Sequence, residues 1–169
     1  MSNDKNVQIV NIDGVKVVEI NTIEFSSRRK IDWEGVEKYL KRFIGECYKI
    51  DETDEMVYIG PDFPDEYTHS KYKEKAYGTI GKAKANAVQA IPELIKTVTN
   101  TSYLQNKKEK HRKTAGCGWF YGVVHFTLPI TDENKRIIGK NAFKGRMVIR
   151  CNQKGLLFLY DIIDIKRET

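Results

Sequence analysis

The sequence predicts an α+β fold, with an N-terminal hairpin and helices followed by a C-terminal antiparallel β-sheet packed on helices. Two observations lead to this class. Before Gly116, apolar residues recur mainly at helical spacing, whereas after Gly118 they alternate with a period of two. The 169 residues are the length of one domain, or of one domain with a small appended lobe.

The N-terminal part predicts a hairpin, a helix and a short strand. Residues 7–20 contain two runs of strand-forming residues around Asp13-Gly14, which is a signal for a tight turn. Asp32 is the expected N-cap of a helix with one apolar face. The apolar positions of that helix are Val36, Leu40, Phe43, Ile44 and Cys47. A short strand is expected at 56–59.

The middle of the chain predicts further helices. Residues 60–64 contain two prolines and a glycine, which predict a break in regular structure. The alanine-rich run 80–100 has one apolar face, and Pro92 either kinks this helix or begins a second one. A basic segment at 102–114 predicts another helix, which ends before the glycines at 116 and 118.

Three strands are predicted at 119–128, 142–151 and 156–165, with a tight hairpin at Gly155. If the first two strands pair, alternate residues share one face of the sheet. The polar residues on that face are Tyr121, His125, Thr127, Lys144, Arg146 and Arg150. Neither strand adds a carboxylate, so this face is a candidate phosphate-binding surface. An ordinary solvated sheet face is the alternative.

Charge divides the chain into two parts, which we predict to be an acidic lobe, 1–66, and a basic domain, 67–169, in one compact unit. Residues 1–66 carry 9 basic and 15 acidic side chains, whereas 67–169 carry 20 basic and 8 acidic ones. Within the acidic lobe, 51–66 has seven carboxylates and no cation. A concentrated positive field attracts anionic partners. The acidic segment 51–66 either lies across the basic face of the sheet or is ordinary solvated surface.

The third predicted strand contains a carboxylate among apolar residues. Its sequence, LLFLYDIIDI, is apolar on both faces, which predicts a largely buried strand. An ionised Asp161 in that setting needs a cationic partner, because an unpaired buried charge is costly. Asp161 and this partner form either a structural salt bridge or an ion pair that orients a catalytic base or cation beside Tyr160.

No metal or cofactor site is predicted. The three cysteines, Cys47, Cys117 and Cys151, are scattered without a CxxC motif, so we expect reduced thiols in a cytoplasm and no structural zinc. The three histidines lack metal-ligand spacing. No apolar run approaches the ~18 residues of a membrane span, and the polar N-terminus does not resemble a signal peptide, so no membrane partner is expected.

The polar groups match the needs of metal-independent RNA cleavage. A base takes the proton from the ribose 2′-OH, an acid protonates the departing 5′-oxygen, and cations stabilise the pentavalent phosphate. Aromatic rings stack unpaired bases. The side chains with these properties are His111, His125, Lys144, Arg146, Arg150, Tyr121 and Tyr160.

Five segments carry a family resemblance: IPELIKTVTN (91–100), NKKEKHRKTAGCGW (106–119), HFTLP (125–129), FKGRMVIR (143–150) and LFLYDIIDIKRET (157–169). Through them, residues 82–169 resemble a phage-associated nuclease domain of the barnase–EndoU–colicin–RelE group of small metal-independent RNases. The resemblance implies helices before an antiparallel sheet whose exposed face is catalytic. It implies catalytic roles for Lys110, His111, Lys144, Arg150, Tyr160 and Asp161.

The leading hypothesis is therefore an endoribonuclease-like phage or toxin domain in the host cytoplasm, which cleaves single-stranded or tRNA-like RNA by 2′-OH attack. His125 is a further catalytic candidate. RNA contacts are expected from Lys107, Lys108, Arg112, Lys113, Tyr121 and Arg146. A cognate inhibitor or a host protein is a further expected partner. The alternatives are a non-catalytic phage protein that binds nucleic acid or inhibits a host defence, and an ADP-ribosyltransferase toxin.

Overall fold

The computed structural model describes residues 6–26, 30–69, 78–105 and 116–168. The strands are β1 (Val7–Ile12), β2 (Val15–Ile20), β3 (Cys47–Lys49), β4 (Met56–Tyr58), β5 (Thr99–Leu104), β6 (Gly118–Thr131), β7 (Ile137–Cys151) and β8 (Leu157–Glu168). The α-helices are α1 (Trp33–Leu40), α2 (Phe63–Thr68), α3 (Gly78–Ala87) and α4 (Ile91–Thr97). Short 3₁₀ turns follow α1 at Lys41–Phe43 and α3 at Val88–Ala90. The predicted α+β class is confirmed.

The strands form one mixed sheet in the order β1-β2-β6-β7-β8-β4-β3, and β5 also pairs with β6. The long β6 therefore has β7 along one side and two partners along the other. β5 pairs antiparallel with its first part, and β2 pairs in parallel with its later part at Val18↔Phe126. β4 pairs in parallel with the start of β8. Strands from both sides of residue 66 thus share the sheet.

The two predicted hairpins are confirmed. β1 and β2 pair antiparallel around a two-residue turn, where Asp13 has a φ of +53° and Gly14 a φ of +83°. Positive φ at both positions suits the right-handed twist of the flanking strands, and glycine adopts it without strain. β7 and β8 pair antiparallel around the second turn, where Asn152 Oδ1 accepts hydrogen bonds from the backbone of Lys154 and Leu156.

The first helix begins as predicted and ends earlier. The Asp32 side chain accepts a hydrogen bond from the Gly35 backbone N–H at 3.0 Å, which satisfies one of the free donors at the helix start. Val36 and Leu40 are fully buried. The prediction was wrong for Ile44 and Cys47, because the helical turns end at Phe43. Cys47 lies in β3, which pairs with β4.

Two other helix predictions need correction. Residues 63–68 form α2 rather than a break, because Pro64 lies in the first turn, where its missing N–H costs no hydrogen bond. Pro92 likewise lies in the first turn of α4, so it begins a second helix rather than kinking one long helix. Residues 102–104 belong to β5, where they pair with β6, and not to a helix. The rest of that predicted helix, 106–114, lies outside the described residues.

The core lies between the sheet and the helices. Phe126 of β6 and Phe143 of β7 are buried and stacked, with ring centroids 5.4 Å apart. Each such side chain contributes roughly 1.5–3 kcal/mol through burial. Helix α3 is buried along most of its length, and its alanines allow close packing. Gly122 serves the same purpose in β6, since a Cβ there would overlap Val98.

A disulfide joins Cys117 to Cys151, with Cα atoms 4.9 Å apart. The backbone N–H of Cys117 also donates to the Cys151 carbonyl, so the bridge fixes the start of β6 to the end of β7. Cys47 is a free, exposed thiol. The expectation of reduced cysteines was wrong for this pair, because strand pairing brings together two residues that are 34 positions apart.

Candidate nucleic-acid interface

The two strands that carry the candidate site pair with each other, which is the condition for their alternate residues to share one face. β6 and β7 pair antiparallel, so that His125 lies opposite Lys144 and Trp119 lies opposite Arg150. Lys144 in turn lies opposite Lys166 of β8. Directly opposed residues have Cβ atoms about 5 Å apart, so these side chains form rows across one face of the sheet.

A cavity of about 350 Å³ opens on this face between β5, β6, β7 and β8. We call it the basic groove. Its polar lining consists mainly of Lys144, Arg146, Lys166, Tyr121, Asn100 and Asp164. The three cations outnumber the single carboxylate, so the groove is positively charged and suits an anionic ligand.

Within the basic groove, Arg146 is held between an aromatic ring and a carboxylate. Its guanidinium carbon lies 4.1 Å from the centroid of the Tyr121 ring, a cation–π contact. Its Nη1 lies 3.9 Å from Asp164 Oδ2. About half of each charged side chain is exposed, so the ion pair adds little stability. The contacts orient Arg146 and leave the guanidinium accessible.

Two lining residues have left-handed backbone conformations inside strands. Asn100 in β5 has a φ of +54° and Asp164 in β8 a φ of +51°. Each lies where the strand register shifts, next to β6 in one case and β7 in the other. Such bulges re-aim side chains and often adjoin functional sites. Here both of them border the same groove.

A histidine–carboxylate pair lies on the same face. His125 Nδ1 is 2.9 Å from Glu168 Oε1. The carboxylate contacts the imidazole at Nδ1, an arrangement that in catalytic histidine–carboxylate pairs orients the ring and leaves Nε2 as the proton acceptor. The sequence analysis found no carboxylate on β6 or β7, and none is there, but β8 supplies both Asp164 and Glu168.

Arg150 lies at the other end of its strand and is covered. Only 6% of the residue is exposed, and its Nη1 donates to Glu66 Oε2 of α2. Its guanidinium carbon also lies 5.8 Å from the centroids of Phe158 and Tyr160. Burial raises the pKa of the Glu66 carboxyl above its usual range, and the adjacent Arg150 opposes that shift only in part. Tyr160 packs edge-on against Trp119.

Asp161 has the cationic partner that the sequence requires, and it is a lysine of α3. Lys84 Nζ donates to Asp161 Oδ1 and to the Ile162 carbonyl, at 2.5 and 2.7 Å. The aromatic ring of Tyr67 lies 4.0 Å from the same Nζ. Burial lowers the pKa of the Lys84 ammonium, although Asp161 favours its charged form.

The structure therefore distributes the predicted catalytic residues among three places. Lys144 lines the basic groove and lies opposite His125, Arg150 and Tyr160 share an aromatic cluster, and Asp161 is in a buried ion pair. The predicted RNA contacts Tyr121 and Arg146 line the groove. The remaining candidates lie outside the described residues: Lys107, Lys108, Lys110, His111, Arg112 and Lys113.

Sequence analysis missed Asn100, Asp164 and Lys166 as groove residues. Lys166 follows the predicted end of the third strand, which in fact continues to Glu168. The bulge at Asp164 breaks the alternation that assigns residues to faces, so simple counting along β8 fails there.

One group of potential metal ligands lies away from the groove. Ligand atoms of Glu37, Asp65 and His69 all lie within 4.8 Å of one another. The Asp65-x-x-x-His69 spacing brings two of these side chains to the same side of the chain at the end of α2.

Comparison with known proteins adds no assignment, since the chain matches no family profile, no curated protein and no solved structure. Among the described helices, none has the length and apolar character needed to span a bilayer.

Proposed function

We propose that this protein is an endoribonuclease-like domain that binds single-stranded RNA in the basic groove and cleaves it by 2′-OH attack without a metal ion. The observation that carries the proposal is the convergence of Lys144, Arg146 and Lys166 around an aromatic side chain in one cavity. Phosphate groups supply the negative charge that this cation cluster attracts, and an unpaired base supplies a ring that stacks on Tyr121.

The size of the basic groove supports binding of a single nucleotide unit within a longer strand. Its volume of about 350 Å³ is near the lower end of the range for small-ligand sites, roughly 300–1,000 Å³. The Arg146 guanidinium carbon lies over the Tyr121 ring, 4.1 Å from its centroid, so a base stacks on the open side of this pair. Lys144 and Lys166 face each other across β7 and β8 and contact the phosphate.

The His125–Glu168 pair provides the chemistry in this proposal. The free imidazole nitrogen accepts the 2′-OH proton, and the resulting oxyanion attacks the adjacent phosphorus atom. The bond to the 5′-oxygen breaks, which leaves a 2′,3′-cyclic phosphate and a 5′-hydroxyl. The Lys144 ammonium, opposite His125, donates the proton to the departing oxygen, and Arg146 stabilises the pentavalent phosphate.

Binding is tested with a fluorescently labelled single-stranded RNA, by anisotropy at several salt concentrations. Lys144→Ala and Lys166→Ala are each expected to weaken binding and to reduce the salt slope by about 0.7. Lys154→Ala is the matched control, because this exposed lysine lies in the β7–β8 turn and not in the groove. Equal behaviour of all three variants would contradict the groove as the binding site.

Cleavage is tested separately, by gel analysis of the same RNA. His125→Asn is expected to lower the cleavage rate by on the order of 10²-fold or more, with little change in RNA affinity. EDTA is expected to leave the rate unchanged. A rate that depends on a chelator, or that is unaffected by His125→Asn, would contradict the proposed mechanism.

A second candidate function, RNA binding without cleavage, is favoured by one specific observation. Arg150 and Asp161, both expected to be catalytic, are buried in ion pairs with Glu66 and Lys84. Buried, paired charges of this kind are ordinary structural elements. If purified protein binds RNA with the predicted salt slope and cleaves none of it, this binding function replaces the nuclease proposal.

A further inference from the structure

A second chemical site is formed where helices α1 and α2 pack against each other. Glu37 projects from α1, Asp65 from α2, and His69 is the residue that ends α2. Asp65 and His69 are four residues apart, so they lie on the same side of the helical turn. Two carboxylates and an imidazole therefore converge from two packed elements, within 4.8 Å of one another.

The negative charge of this cluster has no lysine or arginine partner among the described residues. Asp65 forms its ion pair with His69 alone, and no ion pair of Glu37 occurs in the same part of the chain. By contrast, Asp51, Glu66 and Asp161 each contact a lysine or an arginine.

The distances suit a metal ion. His69 Nδ1 lies 2.9 Å from Asp65 Oδ1. Two ligands that are each about 2.1 Å from one ion at a near-right angle are separated by about this distance. Glu37 has the longest side chain of the three and is only half-buried, so small rotations about its side-chain bonds bring its carboxylate to a third position.

We propose that Glu37, Asp65 and His69 bind a divalent transition-metal ion, which links α1 to α2. One imidazole with two carboxylates is a donor set that suits zinc, manganese, iron, cobalt or nickel, whereas calcium and magnesium prefer oxygen ligands alone. Water completes the coordination, because Asp65 and His69 face solvent. The site is separate from the basic groove, so it has a structural role and takes no part in the proposed cleavage.

The test is a titration of the full chain with Co²⁺, followed by its visible absorption, and with Zn²⁺, followed by calorimetry. Wild-type protein is expected to bind one ion, and its unfolding temperature is expected to rise with Zn²⁺. Glu37→Gln, Asp65→Asn and His69→Ala are each expected to weaken binding at least about tenfold. His69→Ala is also expected to abolish the thermal shift.

Glu34→Gln is the matched control, since Glu34 is an exposed carboxylate in the first turn of the same helix α1 and lies outside the cluster. It is expected to bind like the wild type. All four substitutions are at solvent-accessible positions, so each variant is expected to fold. The proposal is overturned if the wild type binds no ion, if the three variants bind like the control, or if a cobalt–thiolate band assigns the ion to Cys47.

Discussion

Lys84 and Asp161 form an ion pair that is almost completely buried, with Nζ 2.5 Å from Oδ1 and side-chain exposures of 2% and 1%. Lys84 also donates to the Ile162 carbonyl, and Asp161 Oδ1 accepts from the Ile162 N–H. Both backbone groups of Ile162 are thereby satisfied by side chains. Among the described residues, β4 pairs with β8 only at Leu157 and Phe158, so this pair covers the otherwise open edge of β8.

Removing one partner of this pair is expected to be strongly destabilising. Lys84→Met leaves the Asp161 carboxylate buried without its ammonium, so the free energy of unfolding should fall by about 3–5 kcal/mol. The double variant Lys84→Met/Asp161→Leu should recover part of the loss. Urea denaturation measures both. Lys96→Met, at an exposed ion pair with Asp51, is the control and should change stability by less than about 1 kcal/mol.

The Glu66 carboxyl is expected to make stability depend on pH. Its pKa is raised in the folded state, mainly by burial, so the folded protein holds this proton more readily than the unfolded chain. The stabilisation is fully present below the ordinary glutamate value of about 4.3 and is lost as the pH rises through the higher folded pKa. Glu66→Gln keeps an oxygen acceptor for Arg150 and removes the titration.

Denaturation of both proteins at a series of pH values between about 4 and 7 tests this expectation. The wild type should lose stability relative to Glu66→Gln as the pH rises through that interval. Parallel profiles for the two proteins would show that Glu66 titrates normally in the folded state.

The backbone conformation of Asp164 in the basic groove is expected to lower the stability of the protein. Its left-handed backbone costs a non-glycine residue on the order of 1 kcal/mol, so Asp164→Gly should raise the free energy of unfolding by about 0.5–1 kcal/mol. Asp164→Ala removes the same charge without relieving the strain. Both variants should bind RNA more tightly at low salt, and only the glycine variant should be more stable. Equal stability of the two would argue against backbone strain at this position.

The Cys117–Cys151 bridge is expected to stabilise the fold by restricting the unfolded chain. Closing a loop between residues 34 positions apart corresponds to about 4 kcal/mol in the chain-entropy treatment. Cys117→Ala/Cys151→Ala should therefore unfold at a lower urea concentration than oxidised wild type. Cys47→Ala is the control, because Cys47 is free and exposed. If a reductant leaves the wild-type midpoint unchanged, the bridge contributes nothing to stability in solution.

Local patterns in the sequence predicted the elements, and most misses arose from long-range pairing. The Asp13-Gly14 turn, the Asp32 cap and the separate strands β6 and β7 follow from neighbouring residues alone. The short strand β5 was mistaken for part of a helix because its pairing with β6 is not visible locally. Helix α2 was missed because Pro64 was taken to interrupt regular structure. A proline is compatible with a helix when it lies in the first turn, as Pro64 does.

The candidate site was predictable only in part, because local patterns show which residues of a strand share a face but not which other elements pack on that face. Alternation along two strands placed Tyr121, Lys144 and Arg146 on one face, and all three line the basic groove. It also placed Arg150 there, but alternation cannot show that α2 covers that end of the strand with Glu66. The partner of Asp161 was predicted by charge, since a buried carboxylate needs a cation, but its identity depends on the packing of α3.

The parallel contact between Val18 and Phe126 bears on when the protein can fold during synthesis. The β1–β2 hairpin leaves the ribosome before β6 does, and a two-stranded hairpin is marginally stable by itself in water. Its neighbour in the sheet, β6, is made much later, and pairings between such distant residues form slowly because a long loop must close first. The apolar face of the hairpin therefore stays unprotected until β6 has been synthesised, which makes this face a binding site for a ribosome-associated chaperone.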